Sequence, residues 1–146
     1  LLVMENLRLL VTLVWKQLDL AAPGYAIESA VPGNQYLKVS GTSQAAPYVA
    51  GVAAKVHETN PKLKTVQIKK ILMETVDKRD FLKGKVLSSG VVNSMRASRA
   101  AELSTTRSVE EAISLAKLEV EDNSFNKILE EYSFTPVLPL PSTFKF

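Results

Sequence analysis

The segment VSGTSQAAPYVAGVAA, from Val39 to Ala54, holds the hydroxyl best placed for covalent chemistry. Ser43 follows Gly41 and Thr42 and opens a run of small apolar residues. A serine hydroxyl is a weak nucleophile and attacks a carbonyl only when a base takes its proton. The tetrahedral intermediate that follows carries an oxyanion, which needs donors aimed at it. A serine in the first turn of a helix offers a projecting hydroxyl and backbone N–H groups with no intrahelical acceptor. The positive end of the helix dipole adds a favourable field. Gly41 lets a substrate come close to the backbone. Thr42 and Gln44 flank the hydroxyl as candidate substrate contacts. The plainer alternative is that Ser43 only caps the helix.

The chain supplies few partners for that hydroxyl. There are no cysteines, and His57 is the single histidine. A cysteine nucleophile, disulfides, thiolate metal sites and a histidine-rich metal site are therefore excluded. His57 lies fourteen residues past Ser43 on the same expected helix. At about 1.5 Å per residue the two are roughly 21 Å apart. A general base must come within about 3 Å or act through one water. His57 therefore reads as a helix-end residue with a favourable charge. Asp19, within LDLAAPG, and Asp77, at a helix end, do not replace the acid of a triad. No acidic cluster makes a convincing calcium site, and no cofactor is evident. Eighteen basic residues stand against fifteen acidic ones, scattered along the chain. That is not the footprint of a nucleic-acid binder.

The elements that must position Ser43 are short. LDLAAPG (18–24) reads as a strand ending in a Pro-Gly break. AIESAV (26–31) and QYLKVS (35–40) read as strands joined by the turn PGN. A helix from Ser43 to about His57 is apolar nearly all round, which predicts burial. Pro47 falls in its first turns, where a missing N–H is tolerated. Asn60 to Lys64 is a turn. Thr65 is placed to cap a second helix carrying Val66, Ile68, Ile71, Leu72 and Val76. LSSGVVN (87–93) is a turn plus a short strand, and Asn93 caps a third helix through Ala101. Ser108 and Glu111 form a capping box for a fourth helix, Val109 to about Glu121. The end, TPVLPLPSTFKF, holds three prolines and no period, and is expected to be extended or disordered.

The quoted segment resembles the nucleophile segment of subtilisin-like serine proteases, usually G-T-S-M-A-A-P-H-V-A-G. Gly41, Thr42, Ser43, Ala45, Ala46, Pro47, Val49, Ala50 and Gly51 match it. LDLAAPG resembles the strand before that segment, NPKLKTVQIKKIL the helix after it, and SSGVVNSMRA the family's closing turn and helix. The resemblance implies an α/β fold: the C-terminal portion of a subtilisin-like domain, with a parallel sheet flanked by helices and a buried central helix. It implies Ser43 as nucleophile, with its own N–H as one oxyanion donor, acting on protein or peptide substrates through an acyl-enzyme. Gln44 replaces the usual methionine and Tyr48 the usual histidine. The family's aspartate motif, its H-G-T-H motif and its oxyanion asparagine have no counterpart among the 42 residues before Ser43. An extracellular or envelope location and a frequent use of calcium are family properties only.

Three regions follow. Residues 1–17 are an unplaced apolar segment, charged by Glu5, Arg8 and Lys16, too short and too charged for a good membrane span and a poor signal peptide. It reads as a core strand or helix, or as sequence foreign to the fold. The start at Leu1 suggests a piece or a processed product. Residues 18–103 form a partial peptidase domain, and 104–146 a helical, then proline-containing, extension in which packing should thin out. Two functions compete: a fragment of a serine endopeptidase, inactive alone, and a non-catalytic remnant or scaffold that engages a partner.

Overall fold

The computed structural model describes residues 18–122. The chain enters as an extended stretch, Leu18 to Ala22, that runs beside residues 87–92. Leu87 and Ser88 N–H donate to the carbonyls of Leu18 and Asp19. Ala21 N–H donates to Gly90 O at 3.0 Å, and Val92 N–H returns to Ala21 O at 2.9 Å. Ala21 and Val91 thus form a parallel bridge. Strands β1 (Ile27–Val31) and β2 (Gln35–Val39) then pair antiparallel, from Ile27 opposite Val39 to Val31 opposite Gln35. The turn between them places Gly33 and Asn34 at φ 87° and 57°, a region these two residues tolerate best.

Helix α1 (Thr42–Thr59) follows β2 directly, and α2 (Thr65–Glu74) returns after the Asn60–Lys64 turn. A two-residue ribbon, β3 (Asp77–Lys78) with β4 (Gly90–Val91), leads into α3 (Ser94–Leu103) and α4 (Val109–Glu119). The caps of the last two are as expected. Asn93 Oδ1 accepts from Arg96 N–H at 2.8 Å, and Ser108 and Glu111 exchange bonds across the first turn of α4. Thr65 is not the cap of α2. It is the first helical residue, and Gln67 Oε1 accepts from Lys64 N–H at 2.8 Å.

One core joins the four helices. Ala45, Val52 and Val56 of α1 meet Ile71 and Leu72 of α2, Ala97, Ala100 and Ala101 of α3, and Val109, Ile113 and Ala116 of α4. Small residues on α3 let its neighbours approach closely. Leu20 and Ala22 face this core, while Ala21 faces a second one with Leu82, Val86 and Val91. That split is the period-two alternation of an extended chain.

The mixed α/β class is as expected, with three differences. First, α1 is not enveloped. Ala46, Ala50, Gly51 and Ala54 are exposed, and Ala53 is only half-buried. Among the described residues α1 packs mainly on α3 and α2, and no sheet covers its other side. Second, the parallel sheet is represented only by the Ala21–Val91 bridge, because the other described strands form antiparallel ribbons. Third, packing does not thin out after Ser104. Helix α4 buries four residues, Val109, Ala112, Ile113 and Ala116, and packs against α3. Their i, i+3, i+4, i+7 spacing makes one apolar stripe. The expectations for residues 1–17 and for the proline-rich end lie outside the described residues. No helix among the described residues is long and apolar enough to cross a membrane.

Gly90 is where the ribbon is tightest. A Cβ there would stand 2.4 Å from Val76 Cγ2 and 2.7 Å from Asp77 O. The carbonyl is backbone and cannot swing aside. Gly90→Ala is therefore expected to destabilise the fold by about 1–3 kcal/mol, as overpacking does. An unchanged urea midpoint would show that the ribbon is looser than described.

Candidate active site

Ser43 stands in the first turn of α1, and the turn is fixed by bonds to the chain before β1. Gly41 N–H donates to Gly24 O at 2.8 Å, and Ala26 N–H donates to Ser40 Oγ at 2.8 Å. These two bonds close the base of the β1–β2 hairpin where β2 becomes α1. Gly41 O accepts from Gln44 N–H at 3.1 Å and Ala45 N–H at 3.3 Å, starting the helix. The helix has no side-chain cap. Ser43 is thus the second helical residue and not the N-cap, which is Gly41. Among the described residues, the N–H groups of Thr42 and Ser43 have no acceptor, and no group is hydrogen-bonded to Ser43 Oγ.

Thr42 and Ser43 are exposed, while Gly41 and Gln44 are half-buried. All four expected site residues therefore meet at one helix end. The amide of Gln44 folds back over Gly41, so a Cβ on Gly41 would lie 2.7 Å from Gln44 Oε1. That oxygen is the far end of a flexible side chain and can move. A side chain at Gly41 would therefore meet a movable amide rather than backbone.

The titratable residues go elsewhere. His57 is exposed in the last turn of α1, at the opposite end from Ser43. Asp19 pairs with Lys69 at 3.0 Å. Asp77 is fully buried and pairs with Arg96 at 3.0 Å. None of them approaches the hydroxyl as a base or an orienting acid. A solvent-open hollow of about 570 Å³ lies between the C-terminal half of α1 and α3, away from Ser43. Sequence reasoning missed Gly24 and Ser40, whose carbonyl and hydroxyl set the strand-to-helix turn. The Pro23-Gly24 break was the one available signal.

The profile of the subtilase family matches residues 12–114, most of the chain. The chain belongs to the subtilase family. Its relatives include alkaline elastase YaB from Bacillus sp. (strain YaB), 44% identical over 82 residues. Subtilisin Savinase from Lederbergia lenta is 40% identical over 82 residues. Each alignment covers 56% of this chain, but only 21% of the elastase and 30% of the subtilisin. Among solved structures, one described as the structural basis of subtilase cytotoxin SubAB assembly superposes with a TM-score of 0.52 at 29% identity. That superposition covers 70% of this chain and 28% of the other. The A-subunit of the AB5 toxin from E. coli gives 0.51 at 33% identity, over 67% and 27% of the two chains. This subtilase chain thus spans between about a fifth and a third of these four proteins, and the family match runs through α3 into α4.

Proposed function

We propose that the chain is the nucleophile-bearing C-terminal part of a subtilisin-like serine endopeptidase, with Ser43 as the nucleophile. The observation that supports this most is the exposed Ser43 hydroxyl in the first turn of α1, beside backbone N–H groups that have no acceptor among the described residues. In the complete site a histidine from sequence outside these residues takes the hydroxyl proton, oriented by an aspartate. Ser43 Oγ then bonds to the scissile carbonyl carbon, and the Ser43 N–H faces the oxyanion. The C–N bond breaks, the histidine returns the proton to the leaving amine, and water later hydrolyses the acyl-enzyme. Thr42 and Gln44 border the path of the substrate, with Gln44 on the leaving-group side. The exposed Ala46, Ala50 and Ala54 face of α1 fits a helix that packs on both sides in a larger domain. The described residues bring no base to Ser43, so the chain alone is expected to be inert.

Labelling with a fluorophosphonate tests both halves of the reading. The chain alone is expected to remain unlabelled. Fused behind a subtilase segment bearing the aspartate and histidine motifs, it is expected to label at Ser43. Strong labelling of the chain alone would sink the argument that no base is within reach. A well-folded fusion that stays unlabelled would favour the non-catalytic scaffold instead.

A further inference from the structure

The first turn of α1 has little of its own to hold it. Its N-cap is Gly41, and no side chain caps its open N–H groups. A helix end of that kind frays readily. Downstream, Ala45 is fully buried and pins the turn to the core. Upstream, the chain arrives from the β1–β2 hairpin, whose strands pack chiefly on each other among the described residues. What anchors the hairpin beside Ser43 is its base. Gly24, buried just past the core stretch Leu20 to Ala22, accepts from Gly41 N–H at 2.8 Å. Two residues on, Ala26 N–H donates to Ser40 Oγ at 2.8 Å.

Ala26 is the unusual member of this base. Its φ is 50°, in the left-handed region, where an alanine Cβ crowds the following carbonyl oxygen. A residue other than glycine persists there only where its surroundings over-determine it, and such strain collects at functional sites. Ala26 is exposed, so burial does not impose the conformation. That leaves the bonds at Ser40 and Gly41 as the restraint. Ser40 stands opposite Ala26, next in register after the Ile27–Val39 pair. Its side chain supplies the acceptor where the ladder of carbonyls ends and the chain turns into α1.

We propose that Ser40 is a positioning residue for Ser43. By holding strained Ala26 against the end of β2, its hydroxyl keeps the first turn of α1 wound. The Ser43 side chain and the N–H groups of Thr42 and Ser43 then serve one point. Ser40 acts through the turn, three residues before the nucleophile, and not by contact with a reacting atom. The proposal rests on the reading of Ser43 as the nucleophile and names what sets its place.

The chain holds no cysteine, so Ser43→Cys installs a single thiol at that point. Its ionisation reports the local field, because a helix N-terminus lowers a thiol pKa below the free value of about 8.5. The rate of alkylation by iodoacetamide in the full chain, followed from about pH 6 to 10, measures it, since only the thiolate reacts. The pKa at position 43 is expected to lie below the free value. Adding Ser40→Ala is expected to raise it, cutting the thiolate fraction at neutral pH at least about threefold. Ser40→Thr, which keeps a hydroxyl, is expected to leave it unchanged. Gly90→Ala, which strains the β3–β4 ribbon instead, is the control and is expected to leave it unchanged too. An unchanged pKa in Ser40→Ala would overturn the proposal, whatever happens to stability. An equal rise in the Gly90→Ala control would assign the effect to general loosening and overturn it as well. A free-value thiol before either change would show that no donors face position 43, with the same consequence. The titration needs no histidine, so it stands apart from the labelling experiment. A completed domain that folds but stays unlabelled sinks the nucleophile reading, whereas the thiol decides the positioning.

Discussion

Ser43→Ala in a domain completed with the upstream aspartate and histidine is expected to lower turnover on a peptide substrate by on the order of 10⁶-fold, the loss known for subtilisin itself. The loss is so large because the members of a triad act as a unit. Without the hydroxyl, the histidine has no proton to take and no acyl-enzyme forms. What remains is binding and oxyanion stabilisation. The substitution should leave the fold intact, since Ser43 is exposed and its hydroxyl holds no other group among the described residues. Circular dichroism and the urea midpoint should therefore be unchanged while fluorophosphonate labelling disappears. Gln44→Met, which restores the usual family residue beside the hydroxyl, should keep activity within about tenfold. A Ser43→Ala protein retaining more than about a hundredth of the activity would remove Ser43 from the nucleophile's role.

That the placement of the candidate site residues was legible in sequence follows from its locality. Gly41, Thr42, Ser43 and Gln44 are consecutive, and a helix start brings consecutive residues together without tertiary help. The β1–β2 hairpin, the Asn93 cap and the Ser108–Glu111 box were legible for the same reason. The extent of α1 was less so. With glycine at the cap position, no side chain marks its beginning, so the helix starts at Thr42 and runs to Thr59 rather than from Ser43 to His57. Its burial was not legible. Alanine, valine and glycine on every side permit packing on every side, but do not say which sides are covered. The docking of α4 was half legible: the stripe from Val109 to Ala116 shows, but its partner on α3 does not. Arg96 was the largest omission. In SMRASRAAEL it reads as a solvated helix charge, yet its partners are carbonyls and carboxylates brought from two other stretches of the chain, 75–77 and 120–122. Only the fold assembles them.

Removing Arg96 is expected to cost about 3–5 kcal/mol, the penalty for leaving a buried charge without its partner. Arg96 is 6% exposed and Asp77 is fully buried. One guanidinium donates to Val76 O at 3.1 Å, to Asp77 Oδ1 at 3.0 Å, to Val120 O and to Asp122. It therefore ties the β3 ribbon, the start of α3 and the exit from α4 into one knot. For a domain of this size that penalty is a large part of the total stability. Arg96→Lys is expected to recover little, because a point-like ammonium cannot reach several acceptors in the plane of a fork. Arg96→Met combined with Asp77→Leu should recover more, since the buried carboxylate of the pair is then removed as well. Acid should act on the same knot. Burial opposes the charge of Asp122, but hydrogen bonds involving Arg79, Arg96 and Asp77 outweigh it and hold the carboxyl below its usual range. A carboxyl lowered in the folded state stabilises the protein above its unfolded pKa, and that stabilisation is lost as pH falls through the folded value. Stability should therefore decline below about pH 4, and part of that decline should vanish in Arg96→Met. Urea unfolding of the three variants between about pH 2.5 and 7 separates these effects. If Arg96→Met and the double variant are equally stable, the charge left on Asp77 is not what the substitution costs, and Arg96 acts through the carbonyls of Val76 and Val120 instead.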